Sequence, residues 1–226
     1  MQYLSQPVCA KPFGRGIGGV IRTCRRPSGH ADRCYDMPFL DHLAALTPKV
    51  AQKIERDSFQ TRGASWGQTV EGTQARKNRQ PRWTLQEGHP FYPGHHQDYA
   101  VCLEIAAELT LQAYEMTEAP GCPSGIVIYL PRQPIADSAV CPICRLPILF
   151  SEFLLAQQSK AAIDTDHLDP SVERRHIPGN VFFVHHLCNT TKGDRSIPEL
   201  INWMASTMRR HGYTVTMREN RPKVGQ

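Results

Sequence analysis

The sequence has no apolar run near the ~18 residues that a membrane-crossing helix needs, so no membrane partner is expected. Its N-terminus lacks a charged head followed by an apolar stretch, so no secretory signal peptide is expected either. It also shows no internal repeat. These absences point to a soluble, cytoplasmic protein. The 226 residues suffice for one large domain or two small ones, and 40% hydrophobic content permits a core.

Acidic residues are scarce in three segments. Residues 1–35 carry six Lys/Arg against Asp32 alone, 61–97 carry five against Glu71 and Glu87, and 205–226 carry five against Glu219. With a net charge of +5, this spacing suits a polyanion partner, although a mildly basic solvated surface has the same composition. Eight cysteines could form disulfides. Without a secretion signal, and mixed with histidines at short intervals, they read better as metal ligands.

The chain divides into a basic N-terminal region at 1–60, a region of loop and helix at 61–137, and a C-terminal unit at 138–226. Residues 1–36 show little periodicity. Short helices are expected near 38–46 and 48–58, the second with Thr47 as N-cap and Pro48 at its first position. Residues 60–97 show no period and read as a long irregular segment. Apolar residues from Tyr99 to Met116 recur in steps of three and four, predicting a helix over 98–116. Gly125–Leu130 reads as a buried strand and 131–140 as a linker. Ser196 and Glu199 form a capping-box pattern before a helix over 197–210, with Gly212 as its stop. Thr214–Met217 suits a final strand.

The chemistry concentrates further on. Cys141-Pro-Ile-Cys144 is a C-x2-C knuckle, and forty residues later His185-His-Leu-Cys188 contains H-x2-C. Two such pairs suit tetrahedral zinc, with Cys141, Cys144, His185 and Cys188 as ligands. His186 is an alternative to His185, and small buried cysteines are the bland alternative to a metal site. Between the pairs lies Asp164-Thr-Asp-His167. Thirteen residues after His167 comes Asn180, ahead of the apolar run Val181–Val184, and nine residues later comes Asn189, followed by Lys192 and Asp194.

In order and spacing these residues resemble the HNH, or ββα-metal, endonuclease superfamily, of the zinc-knuckle type with Asn at the third motif position. Asp166-His167 matches the pair ending the family's first strand, Asn180 the residue opening its second, and Asn189 the one on the following helix. Asn189-Thr-Thr-Lys192 matches its Asn-x-x-Lys ending. The resemblance covers about residues 138–196, roughly a quarter of the chain. It implies an α+β protein with a zinc-stapled ββα-metal module in its C-terminal half.

The resemblance also implies phosphodiester hydrolysis. His167 would be the general base. Asp166 and Asn189 would hold a catalytic Mg²⁺ or Mn²⁺ through oxygen. Asn180 would orient His167, and Lys192 would contact phosphate or the fold. Taken singly, Asp166, Asn180 and Asn189 could instead serve as strand end, turn and helix cap. Arg174, Arg175 and Arg195 flank this set and suit backbone phosphates. His176 reads as a surface histidine on a loop.

Upstream, Cys9, Cys24, His30 and Cys34 could hold a second zinc in a mixed helical and irregular region poor in core residues, the alternative being a set of unpaired thiols. Arg25 and Arg26 lie among them. Arg76, Lys77, Arg79 and Arg82 form another basic stretch, suited to a DNA groove or to plain solvated loop. The expected function is a restriction-type DNA endonuclease acting on double-stranded DNA at a specific or modified site. A homodimer is the simplest way to cut both strands. The alternatives are a phage or mobile-element nicking HNH enzyme and a non-enzymatic, zinc-dependent nucleic-acid-binding module.

Overall fold

The computed structural model describes residues 12–15, 21–23, 43, 47–62, 79–82, 99–155, 162–172 and 175–216. The expected second-zinc residues Cys9, Cys24, His30 and Cys34 lie outside these, as do Arg25, Arg26, Arg76, Lys77 and Arg174, and most of the helix expected at 38–46. Of Arg79 only the backbone is described.

The architecture is α+β. Its elements are β1 (Pro12–Arg15), β2 (Ile21–Thr23), α1 (Pro48–Phe59), β3 (Gln60–Arg62), β4 (Arg79–Pro81), α2 (Tyr99–Glu115), α3 (Ser124–Val127), α4 (Phe150–Leu155), β5 (Ile163–His167), β6 (Val181–His185), α5 (His186–Lys192) and α6 (Ile197–Arg210). Among the described residues the strands form three antiparallel pairs, β1–β2, β3–β4 and β5–β6.

Helix α2 is the centre of the core. Cys102, Ile105, Ala106, Leu109 and Ala113 are fully buried, and Ala107, Leu111 and Tyr114 nearly so. Burial thus extends well beyond one face, because α1 packs against α2 and β6 packs against it too. Each large apolar side chain removed from water there contributes about 1.5–3 kcal/mol. The buried Thr110 hydroxyl donates to the Ala106 carbonyl at 2.7 Å, so it is not left unsatisfied.

Polar side chains of α2 also hold the sheet. Gln112 Oε1 accepts the Phe183 N–H at 3.0 Å, and Glu108 Oε2 accepts the Gly179 N–H at 2.8 Å. Gly179 has φ +78°, a left-handed conformation that suits glycine just ahead of β6. Phe183 meets Phe153 of α4 edge to face at 4.9 Å between ring centroids. Near the end of α2, the buried Glu115 carboxylate accepts from Arg132 at 2.9 Å and from the Ile135 N–H at 3.0 Å. These bonds fix the segment that leads to the knuckle.

Several expectations change. Residues 60–62 and 79–81, read as irregular, pair as β3 and β4. Gly125–Leu130 is not a strand: Ser124–Val127 is a helical turn. Ile128 and Tyr129 are 76% and 46% exposed, so the apolar run there is not buried on alternate sides as a core strand would be. Residues 214–216 form no strand. Thr47 precedes α1, but its hydroxyl donates back to the Leu43 carbonyl and does not cap the helix.

Candidate active site and metal centre

The knuckle is a tight hairpin. Val140 bridges to Pro147, the Cys141 N–H donates to the Leu146 carbonyl, and the Arg145 N–H donates to the Cys141 carbonyl, each at 2.9 Å. Arg145 takes a left-handed φ of +64° to close the turn. This fold brings Cys141 and Cys144 to one side, while the end of β6 and the first turn of α5 supply His185 and Cys188. The four ligand atoms all lie within 4.8 Å of one another, and Cys144 Sγ is 3.2 Å from His185 Nδ1. Tetrahedral zinc holds Sγ at about 2.3 Å and ring nitrogen at about 2.0 Å, so small movements would close this set on one ion. His185 Nε2 is 3.7 Å from Glu152 Oε2, the outer partner a metal-bound histidine usually has. His186 instead pairs its Nδ1 with Asp164 Oδ2 at 2.8 Å, and it is His185 that joins the three cysteines in a cluster able to hold an ion.

The thiols are electrostatically crowded. Burial, with Cys144 and Cys141 beside it, pushes the Cys188 thiol up to about 12. At Cys141 burial pushes upward too, but the N–H groups of Cys144, His185 and Ile143 more than offset it and hold that thiol below its usual value. A divalent cation would relieve this crowding by binding the thiolates.

Strand alternation sorts the next residues. Asp164 and Asp166 face α5. Asp164 Oδ2 accepts from Asn189 Nδ2 at 2.9 Å, and Asp166 Oδ2 lies 3.0 Å from Lys192 Nζ. Asp166 Oδ2 is buried, and Lys192 is its charged partner. Burial pushes the Asp166 carboxyl up, against the pull of Lys192. Lys192 is 1% exposed and also donates to the Gly193 carbonyl at 3.2 Å. Of its two expected roles, this is contact with the fold. The direct partner of Asn189 is Asp164, while Asp166 reaches the same helix one turn later.

Thr165 and His167 face the last turn of α1. Thr165 Oγ1 donates to Asp57 Oδ2 at 2.8 Å, and His167 Nε2 is 3.3 Å from His176 Nδ1. His176 is 3% exposed, not a surface residue, and its Nε2 is 2.9 Å from the Ser58 carbonyl. It is buried because the chain at His176 lies against α1, a contact that local sequence does not reveal.

Asn180 makes the loop before β6. Its Oδ1 accepts from the Asp169 N–H at 2.9 Å, and its Nδ2 donates to the carbonyls of Asp169 and Arg175 at 3.0 and 2.7 Å. The Asn180 carbonyl accepts the Leu168 N–H at 3.0 Å. All these bonds go to backbone around His167, so Asn180 holds the loop, and the ring itself meets His176.

An open cleft of about 360 Å³ brings part of this set together, while Asp166, Asn180 and Lys192 do not line it. Asp164, Thr165, His167, His176 and Asn189 line one side, and Lys53, Arg56, Asp57 and Arg82 line the other. Asp57 is largely buried but accepts from Lys53 at 3.0 Å and Arg56 at 2.7 Å. Burial alone would raise it. Lys53 and Arg56 win and hold its carboxyl below the usual carboxylate range. His167 is driven the other way: burial, then Arg82, Arg175 and Lys192, lower it to about 4, so the ring is neutral at pH 7. Arg175 and Arg195 are exposed, the latter lying 4.9 Å over the Trp203 ring.

Sequence reading missed Asp57, Lys53, Arg56 and Asp164 as site residues. Asp164 had a signal, since it shares a strand face with Asp166. The α1 residues had none, because only the tertiary fold brings them to the cleft.

Residues 94–188 match the DraIII family model. A comparison with curated proteins gives no match. Among solved structures, one described as a type II restriction endonuclease is 28% identical, over 92% of this chain and 99% of that one, with a TM-score of 0.63. The two likenesses agree in supporting a restriction-type nuclease.

Proposed function

We propose that the chain is a metal-dependent DNA endonuclease that works by HNH chemistry. The observation carrying this reading is a neutral, largely buried His167 that shares one cleft with Asn189, Asp164 and basic side chains. The order β5, β6, α5 and the Cys₃His cluster beside it support the reading. So does the similarity to a type II restriction endonuclease, a kind of enzyme that acts on DNA.

His167 takes a proton from water as the water oxygen attacks phosphorus. The bond from phosphorus to the leaving oxygen breaks, that oxygen keeps the electron pair, and a solvent proton neutralises it. A Mg²⁺ or Mn²⁺ ion, when bound, supplies charge neutralisation at the phosphate. Asp166 and Asn189 would hold it, with Asp164 beside them. Asp164 and Asn189 line the cleft, and carboxylate and amide oxygens are the donors that such a hard ion takes. Lys192 holds Asp166 in place, and Lys53, Arg56, Arg82 and Arg175 suit backbone phosphates. The zinc at Cys141, Cys144, His185 and Cys188 has a structural role.

As a restriction-type enzyme, the protein would recognise a specific or modified site on double-stranded DNA through regions 1–60 and 61–137, and act as a homodimer from the cytoplasm. The test incubates it with supercoiled plasmid and with phage DNA of differing modification, in Mg²⁺, Mn²⁺ or EDTA. Discrete fragments that need the divalent ion support the proposal, and prompt linear product supports paired cutting. Persistent open circles would favour nicking. Tight binding with no cleavage in any metal would favour a non-enzymatic module.

A further inference from the structure

The His167–His176–Ser58 contact goes further than the assignment of a base. The Ser58 carbonyl can only accept, so the ring nitrogen 2.9 Å from it, His176 Nε2, carries a proton. His176 Nδ1 then faces His167 Nε2 at 3.3 Å. Two N–H groups cannot point at each other, and two lone pairs make no bond. Either His176 is neutral and accepts from His167, or it is a cation and donates to it.

The surroundings decide between these. His176 is 3% exposed, so an imidazolium there would lose nearly all its hydration. Arg82 adds repulsion to that burial, outweighing the Ser58 hydrogen bond and the more distant Asp57, and holds His176 well below the usual histidine value. A neutral His176 with its proton on Nε2 leaves Nδ1 as acceptor.

We infer that His176 is a positioning residue that holds His167 in the tautomer protonated on Nε2, leaving His167 Nδ1 as the nitrogen that takes the proton from water. The Ser58 carbonyl belongs to the last turn of α1, where helix carbonyls lack partners within the helix. The relay therefore runs from the upstream helix through His176 to the base, with Ser58 and His176 118 residues apart in sequence. The C-terminal unit orients its base through His176 together with α1. The second bridge, Thr165 to Asp57, fixes β5 to the same turn.

This inference rests on the nuclease reading for its consequence, but its test does not. Long-range ¹H–¹⁵N correlation spectra of the full chain, with histidines assigned by substitution, report which ring nitrogen of each bears the proton. His167 should be protonated on Nε2 and His176 on Nε2. A His167 protonated on Nδ1 overturns the relay, whatever the protein cuts. In His176→Leu, the His167 signals should move to a mixture of tautomers, and kcat should fall on the order of 10²-fold, the low end for general-base catalysis, with KM for DNA unchanged. His176→Asn, whose amide oxygen can accept in place of Nδ1, should recover part of kcat. Equal losses in the Leu and Asn variants would mean that the ring only fills space, and would overturn the proposal. The expected tautomers in a protein that cuts no DNA would support the relay and count against the nuclease reading alone.

Discussion

The Asn180 side chain donates to the Arg175 carbonyl at 2.7 Å, and so fixes the two ends of the turn that contains His176. Its amide makes three hydrogen bonds to backbone, and Asn180 is 7% exposed. Asn180→Ala leaves Asp169 N–H and two carbonyls to find other partners. The expected destabilisation is about 2–3 kcal/mol, since groups left unsatisfied cost more than a hydrogen bond returns. Denaturant unfolding of the two proteins measures it. Activity should fall further than stability, because the loop carries the partner of His167. A variant that keeps full activity would show that the loop does not need this staple.

The Cys₃His cluster should hold one zinc. Elemental analysis of wild type and Cys144→Ala should differ by one equivalent, with a large drop in melting temperature, since binding energy at a structural zinc is folding energy, on the order of 10 kcal/mol in small zinc modules. If Cys9, Cys24, His30 and Cys34 also bind zinc, wild type holds two equivalents and Cys144→Ala keeps one. Equal zinc content in the two proteins would contradict the assignment of Cys141, Cys144, His185 and Cys188.

Asp57 should set part of the acid stability. Its carboxyl is held below the usual range by Lys53 and Arg56 against the effect of burial. A depressed carboxylate stabilises the fold above its unfolded value, about 3.9. That contribution is lost as pH falls towards the folded value. Asp57→Asn should therefore be less stable than wild type by about 1.5–3 kcal/mol near pH 7. The gap should narrow below about pH 4. Thermal melts of both proteins from pH 3 to 7 would show it. A gap that stays constant through this range would mean that the Asp57 charge contributes nothing.

What the sequence displays best is local. Helix α6 announces itself through Ser196 and Glu199, and the structure contains that capping box, with the Ser196 N–H donating to Glu199 Oε2 at 2.7 Å. The Cys₃His cluster is equally local on each side: a short turn carries two of its residues. Helix α2 was visible by its period, but its burial on several sides was not, because that depends on α1 and β6 both packing on it. Gly125–Leu130 misled because a short apolar run looks the same whether buried or exposed, and Ile128 and Tyr129 face solvent.

The candidate site was half legible. Asp166, His167, Asn180 and Asn189 lie in one strand–strand–helix stretch, where spacing carries their relation. His176 was legible only as a residue type. Its burial depends on Ser58, 118 positions away, and the placement of Asp57 depends on Thr165, 108 positions away. No periodicity links such pairs. The missing part of the site is the part supplied by another segment of the chain.

The most direct test compares wild type with His167→Ala on a cleavable DNA in Mg²⁺ or Mn²⁺, with binding to the same DNA measured in EDTA. The account predicts that His167→Ala keeps its zinc and its DNA affinity and loses cleavage by at least about 10²-fold. Cleavage at the wild-type rate by His167→Ala would contradict it.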